Sequence, residues 1–256
     1  MFPTIFQIGN FSLHTYGLLI AVGFLLGIGL ALKEARREGI PQEQVLDLSF
    51  YIIFAAILGS RLLFVLINYA YYWEHPWAFF KVWEGGLVFY GGFILAFLTG
   101  IFYLKKQAIP FWKMGDLLAP SIALGQVFGR LGCFAAGCCF GKTTDLPWAV
   151  TFSHPQSLAP TGIPLHPTQL YEALTTFMIF LILMALRRRP LFPGFRLLTY
   201  LFLYGSVRWL LEFLRGDYRG NLAGGGWSDT QYISLLLVFF SIIMALYLRK
   251  RKAAPG

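Results

Sequence analysis

The sequence predicts an all-α polytopic membrane protein: seven transmembrane helices, the N-terminus outside, the C-terminus cytoplasmic, and a small outward-facing cap. Three observations carry this. Hydrophobic residues make up 57% of the 256 residues and charged residues only 13%, against about 25% charged in a soluble domain. Seven apolar stretches recur, each near the roughly 20 residues needed to cross a bilayer core. Lysine and arginine gather in alternate connections, as expected of a chain oriented by its cytoplasmic charges. With the spans accounting for most of the length, residues 1–256 read as a single membrane-embedded domain.

The spans fall at residues 12–32, 47–68, 86–104, 115–132, 167–186, 196–214 and 229–248. Each must be a helix, because backbone donors and acceptors in lipid have to be satisfied within the segment. Met1 to Asn10 lacks a basic leader, so the first span is expected to stay as an anchor. The segment 69–85 carries Tyr69, Tyr71, Tyr72, Trp73, Trp77 and Trp83 and reads as an interfacial belt. The connection 133–166 holds Gly137, Gly141, Pro147, Pro155, Pro160, Gly162 and Pro164, which favour turns, and forms the predicted cap.

The net charge of +9 follows membrane orientation and does not point to nucleic acid. Fourteen of the 21 basic residues lie after the first, third and fifth spans or in the C-terminal tail, Arg187 to Arg189 and Arg249 to Lys252 among them. The opposite side carries Lys81, Lys142, Arg215 and Arg219.

Polar residues within the spans need partners. Arg208 and Glu212 lie four apart on one helix face and predict an ion pair. Arg130 has only neutral neighbours from Gln126 to Phe134, so its counter-ion comes from another helix or from a ligand. Glu172, about one turn into the fifth span, likewise needs a partner. Two arginines near helix ends suit a phosphate, whose oxygens match the guanidinium fork. Arg61 reads as a structural arginine binding helix carbonyls, and Asp116 as a cap on its own helix. Gly91 and Gly92 read as a close helix contact beside Tyr90. His14 and Tyr16 enter the first span from the outer side, where an isolated histidine is more often structural than a base.

Cys133, Cys138 and Cys139 make no disulfide framework, and the adjacent pair poorly suits a tetrahedral metal site, so packing or a disulfide is the expectation and no metal cofactor is predicted. No Gly-rich nucleotide loop, HExxH pattern or GxSxG elbow occurs. The absence of an internal repeat weighs against transporters built from repeated halves.

Five motifs in order carry a resemblance: Tyr16-Gly17; the glycine pairs from Gly85 to Gly92; Gly129-Arg130-Leu131-Gly132-Cys133-Phe134 through Gly141; His166 to Glu172; and Arg208, Glu212 and Arg215. Together they resemble the bacterial prolipoprotein diacylglyceryl transferases. The resemblance implies transfer of diacylglycerol from phosphatidylglycerol to the lipobox cysteine of a prelipoprotein in the bacterial cytoplasmic (inner) membrane, with release of glycerol phosphate. It implies that Arg130 binds the phospholipid, that Arg208 is a second essential arginine, and that Tyr16, Glu212 and Gly141 belong to the substrate site. The chain departs from the pattern at Tyr90, where many members have histidine, at Cys133 for asparagine and at Cys138 for glutamate. Tyr90 or His14 is then the expected base, Tyr90 favoured by its motif position, with the substrate thiol as nucleophile. The competing reading is a lipid or organic-anion transporter, which would also use buried arginines.

Overall fold

A computed structural model describes residues 4–8, 11–81, 85–188, 191–217, 220 and 226–253; Met1, Asn10, Trp83, Glu84, Arg189 and Arg219 lie outside the described residues. Long helices occupy all seven predicted apolar segments: α1 (Thr15–Glu38), α2 (Gln42–Ile67), α4 (Phe89–Lys106), α5 (Phe111–Ala136), α6 (Thr168–Leu186), α7 (Phe195–Glu212) and α8 (Asp229–Ala253), with a short α3 (Tyr69–Glu74) between the second and third. Helices α1, α2, α5, α6 and α8 are long and apolar enough to cross a membrane. Helices α4 and α7 have 18 residues each; α4 ends in Lys105 and Lys106, and α7 carries Arg196, Arg208 and Glu212. The chain is a polytopic helical membrane protein.

The all-α expectation needs two additions, both two-stranded antiparallel pairs. Strands β1 (Thr4–Ile8) and β2 (Phe11–His14) form an antiparallel hairpin, pairing Thr4 with His14 and Ile8 with Phe11. The first helix therefore starts at Thr15, three residues later than the apolar run suggests.

Two compact units divide the chain, residues 1–31 with 115–256, and residues 32–114. In the second, α2 packs on α4 through glycines. A Cβ on Gly59 would run into the Gly91 carbonyl oxygen, and one on Gly92 into Ser60 Oγ, so any side chain there would force the helices apart. Arg61, buried on α2, has the expected structural role: it donates to the carbonyls of Phe79 (2.9 Å), Ala78 (2.5 Å) and Gly85 (2.6 Å). Its guanidinium also faces the rings of Phe64 and Tyr72. One arginine thereby ties the aromatic segment to the glycine entrance of α4. Trp73 and Trp77 are more than three-quarters exposed, as an interfacial belt requires.

In the first unit, Ala119 and Ala123 of α5, Ile179 and Leu183 of α6 and Tyr200 of α7 form one buried cluster. Asp116 corrects an expectation. It caps α7 rather than its own helix, accepting from the backbone N–H groups of Gly194 (2.7 Å) and Leu197 (2.9 Å). Helix α5 starts at Phe111, so Asp116 is already inside it, while the first N–H groups of α7 lack intrahelical partners. The cap is built on β3 (Val150–Thr151) and β4 (Pro164–Leu165), paired antiparallel over a core of Phe152, Ala159 and Leu165.

Candidate functional site

Helix α6 opens with Pro167 at its N-cap, so Thr168, Gln169 and Glu172 fall in its first turns, and all three are buried. Glu172 faces arginines from three segments. Its Oε1 lies 2.7 Å from Arg130 Nη2 on α5 and 4.0 Å from Arg208 Nε on α7, and its Oε2 lies 3.9 Å from Nη1 of Arg215, just beyond α7. The Tyr204 hydroxyl donates to the same carboxylate at 3.4 Å. The counter-ion that Arg130 requires is therefore an acid on another helix. The predicted pair also forms, with Arg208 Nη1 2.7 Å from Glu212 Oε2, while Ser228 Oγ donates to Glu212 Oε1 at 2.7 Å.

Charge is balanced here, but hydrogen bonding is not. Arg208 Nη1 makes an ion contact with Glu212 that does not count as a hydrogen bond, and Arg208 Nη2 has no hydrogen-bond partner. Arg215 binds Asp217 through Nε and Nη2, both at 2.8 Å, which leaves Nη1 without a hydrogen bond. Arg208 and Arg215 are each 5% exposed. A buried polar group left unpaired costs about 1–3 kcal/mol, more when charged. The site thus keeps unpaired cationic donors in a protected space, a geometry suited to an oxyanion with several acceptor oxygens.

Gly141 explains how Arg215 is held. Its N–H donates to the His166 carbonyl (3.0 Å), Lys142 N–H to Leu214 O (2.8 Å), and Gly216 N–H to Phe140 O (3.1 Å). A Cβ on Gly141 would fall 2.5 Å from His166 Cβ and 2.9 Å from Leu214 O. Only glycine lets these three backbones lace together, and the lacing fixes Arg215 next to Glu172. Sequence reasoning counted Arg215 among loop charges. The signal for it was the spacing of Arg208, Glu212 and Arg215, which continues one helix face.

Tyr16, at the start of α1, belongs to the same unit and packs on α5: a Cβ on Gly132 would lie 3.1 Å from its ring Cδ2. His14, at the end of β2, is exposed. Tyr90 lies in the other unit, in the first turn of α4, and is also exposed. Cys133, Cys138 and Cys139 are not disulfide-bonded, and their sulfurs lie within 4.8 Å of one another. Hydrogen bonds with Cys133 and Cys138, and then Arg215, hold the Cys139 thiol below the ordinary thiol range against the effect of burial, while hydrogen bonds with its two neighbours push Cys138 up.

Comparison with known proteins gives a consistent result. The profile of the prolipoprotein diacylglyceryl transferase family matches residues 3–247. The phosphatidylglycerol–prolipoprotein diacylglyceryl transferase of Geobacter sulfurreducens is 36% identical, over 99% of this chain and 97% of its own length. Those of Bacillus velezensis (36%; 97% and 93%) and Clostridium tetani (35%; 98% and 100%) are similar over comparable lengths.

Proposed function

Since the chain belongs to the prolipoprotein diacylglyceryl transferase family, we propose that the arginine cluster around Glu172 is its active site. The protein is a transferase that moves the diacylglyceryl group of phosphatidylglycerol onto a prolipoprotein. The unpartnered donors of buried Arg208 and Arg215, beside Arg130, carry the assignment of the site.

In the proposed mechanism, Arg130 and Arg208 bind the phosphodiester, and Arg215 supplies a third cation. Glu172 holds the three guanidinium groups in register without occupying all their donors. The lipobox thiolate attacks the glycerol carbon that carries the phosphate. A C–S bond forms, the C–O bond breaks, and glycerol phosphate leaves with the electron pair while the arginines stabilise its added charge. The thiol proton is taken up by a base, for which His14 and Tyr90 are the candidates. Tyr16 and Glu212 complete the substrate site, Glu212 by orienting Arg208, and Gly141 by its tight backbone packing.

Seven crossings fit the seven helices if α4 and α7 also span, since α7 buries Arg196, Arg208 and Glu212 and the two lysines of α4 lie in its last turn. The distribution of lysine and arginine supports an outside N-terminus, a cytoplasmic C-terminus and a site open to the outer leaflet. We take the two units as one functional domain in the bacterial cytoplasmic (inner) membrane. Phosphatidylglycerol, the prolipoprotein and the bilayer are then its partners, with no nucleic acid and no cofactor needed for the transfer step.

The test is to incubate purified protein with phosphatidylglycerol and a lipobox peptide and weigh the peptide. A mass gain of one diacylglyceryl group is expected. Lipid movement across vesicles with an unmodified peptide would instead establish a transporter.

A further inference from the structure

The three cysteines are not used by this mechanism, yet their arrangement is specific. Cys133 sits in the last turn of α5, three residues past Arg130. Gly137, at φ +76°, turns the chain back, and Cys139 adopts φ +63°. A residue with a Cβ holds that left-handed conformation only when its surroundings impose it. Here two buried side chains of α6 do so: Thr168 Oγ1 donates to the Cys139 carbonyl and Gln169 Nε2 to the Cys138 carbonyl, both at 2.8 Å. The result corrects the objection that adjacent cysteines suit a metal poorly, because the turn brings both sulfurs back toward Cys133.

We propose that Cys133, Cys138 and Cys139 form a three-thiolate site for one thiophilic metal ion, zinc(II) or copper(I). The three sulfurs lie within 4.8 Å of one another, and no histidine, aspartate or glutamate belongs to the group. A metal bound to three thiolates at about 2.3 Å needs sulfurs about 4 Å apart, so a closure of roughly 1 Å suffices. An all-sulfur donor set selects soft ions over magnesium, calcium or manganese. Three ligands complete a trigonal copper(I) site and leave one open position on zinc(II). A disulfide would join two sulfurs and exclude the third, whereas here the three converge together.

The site also adjoins the arginine cluster. Arg215 and Arg130 both interact electrostatically with Cys139, and Arg130 also with Cys133. These guanidinium groups offset the negative charge of three thiolates. Metal binding is thereby coupled to the position of two arginines, although the metal site does not depend on the transferase reading.

Reduced, metal-free protein in detergent is titrated with zinc(II) and, separately, with copper(I) against a chromophoric competitor, and its bound metal is examined by X-ray absorption. One equivalent of either ion with three sulfur neighbours is expected, a trigonal shell marking copper(I) and a fourth, non-protein ligand marking zinc(II). Cys138→Ser should weaken binding at least 100-fold. Arg130→Gln should still bind one equivalent of metal through three sulfurs, with lower affinity, while losing transfer, which separates this proposal from the proposed function. Failure of the reduced protein to bind a stoichiometric ion, or a coordination shell dominated by nitrogen and oxygen, would overturn it. So would equal binding by a triple Cys→Ser variant. If a serine variant does not fold, the sulfur count around the metal in the unaltered protein still decides.

Discussion

Glu172→Gln is the most informative single change, because it keeps the side-chain volume and removes one charge. In the structure that charge lies 2.7, 4.0 and 3.9 Å from three guanidinium groups. Removing one partner of a buried ion pair costs about 3–5 kcal/mol. The side chain of Arg130 is 20% exposed and regains some water, so the lower end, about 3 kcal/mol of stability, is expected. The catalytic effect is separate. Arg130, Arg208 and Arg215 would lose the anchor that aligns them, and misplacing donors to a developing oxyanion lowers kcat by about 100-fold or more. Unfolding in mixed micelles, followed by loss of tertiary signal, reads the first quantity, and peptide mass gain per minute reads the second. A Glu172→Gln variant within ~0.5 kcal/mol of the parent, the range of an ordinary surface change, and transferring at half its rate or better would refute the hub assignment.

Gly141→Ala should disrupt the lacing around Arg215, since its Cβ would meet His166 Cβ at 2.5 Å; a loss of about 1–3 kcal/mol by overpacking is expected in the same unfolding measurement, with transfer reduced. Asp116→Ala should cost about 1–2 kcal/mol by uncapping α7, visible as faster amide exchange at Gly194 and Leu197, with kcat changed far less than by Glu172→Gln. Tyr90→Phe and His14→Ala, compared across pH, should identify the base: the essential one loses transfer while phosphatidylglycerol binding persists, and loss of binding instead would assign that residue to substrate positioning.

Much of this protein is legible in the sequence because a bilayer imposes strong rules. Each apolar run of sufficient length is a helix, and the two charges of the Arg208 and Glu212 pair meet because four residues span about one helical turn. Arg61 and the glycines at 91 and 92 are also readable, since a buried cation and a side-chain-free surface each have few uses in lipid. What stays hidden depends on tertiary geometry. The need of Glu172 for a partner is plain, but its meeting three arginines depends on how α5, α6 and α7 come together. Asp116 reads as a cap on its own helix because a cap supplied from another helix has no local spacing signal. The convergence of three sulfurs depends on a left-handed residue at Cys139, which is not a residue type that announces such a turn.

The central claim is that the arginine cluster around Glu172 drives transfer of a lipid group to a thiol. It is tested most directly by a single-turnover reaction of the purified protein with labelled phosphatidylglycerol and a lipobox peptide, run beside Arg130→Gln. The account predicts one glycerol phosphate released for each diacylglyceryl thioether formed, and near-complete loss of both in a variant that still inserts into the membrane. Full transfer by Arg130→Gln, or lipid delivery with no thioether in the unaltered protein, would contradict it.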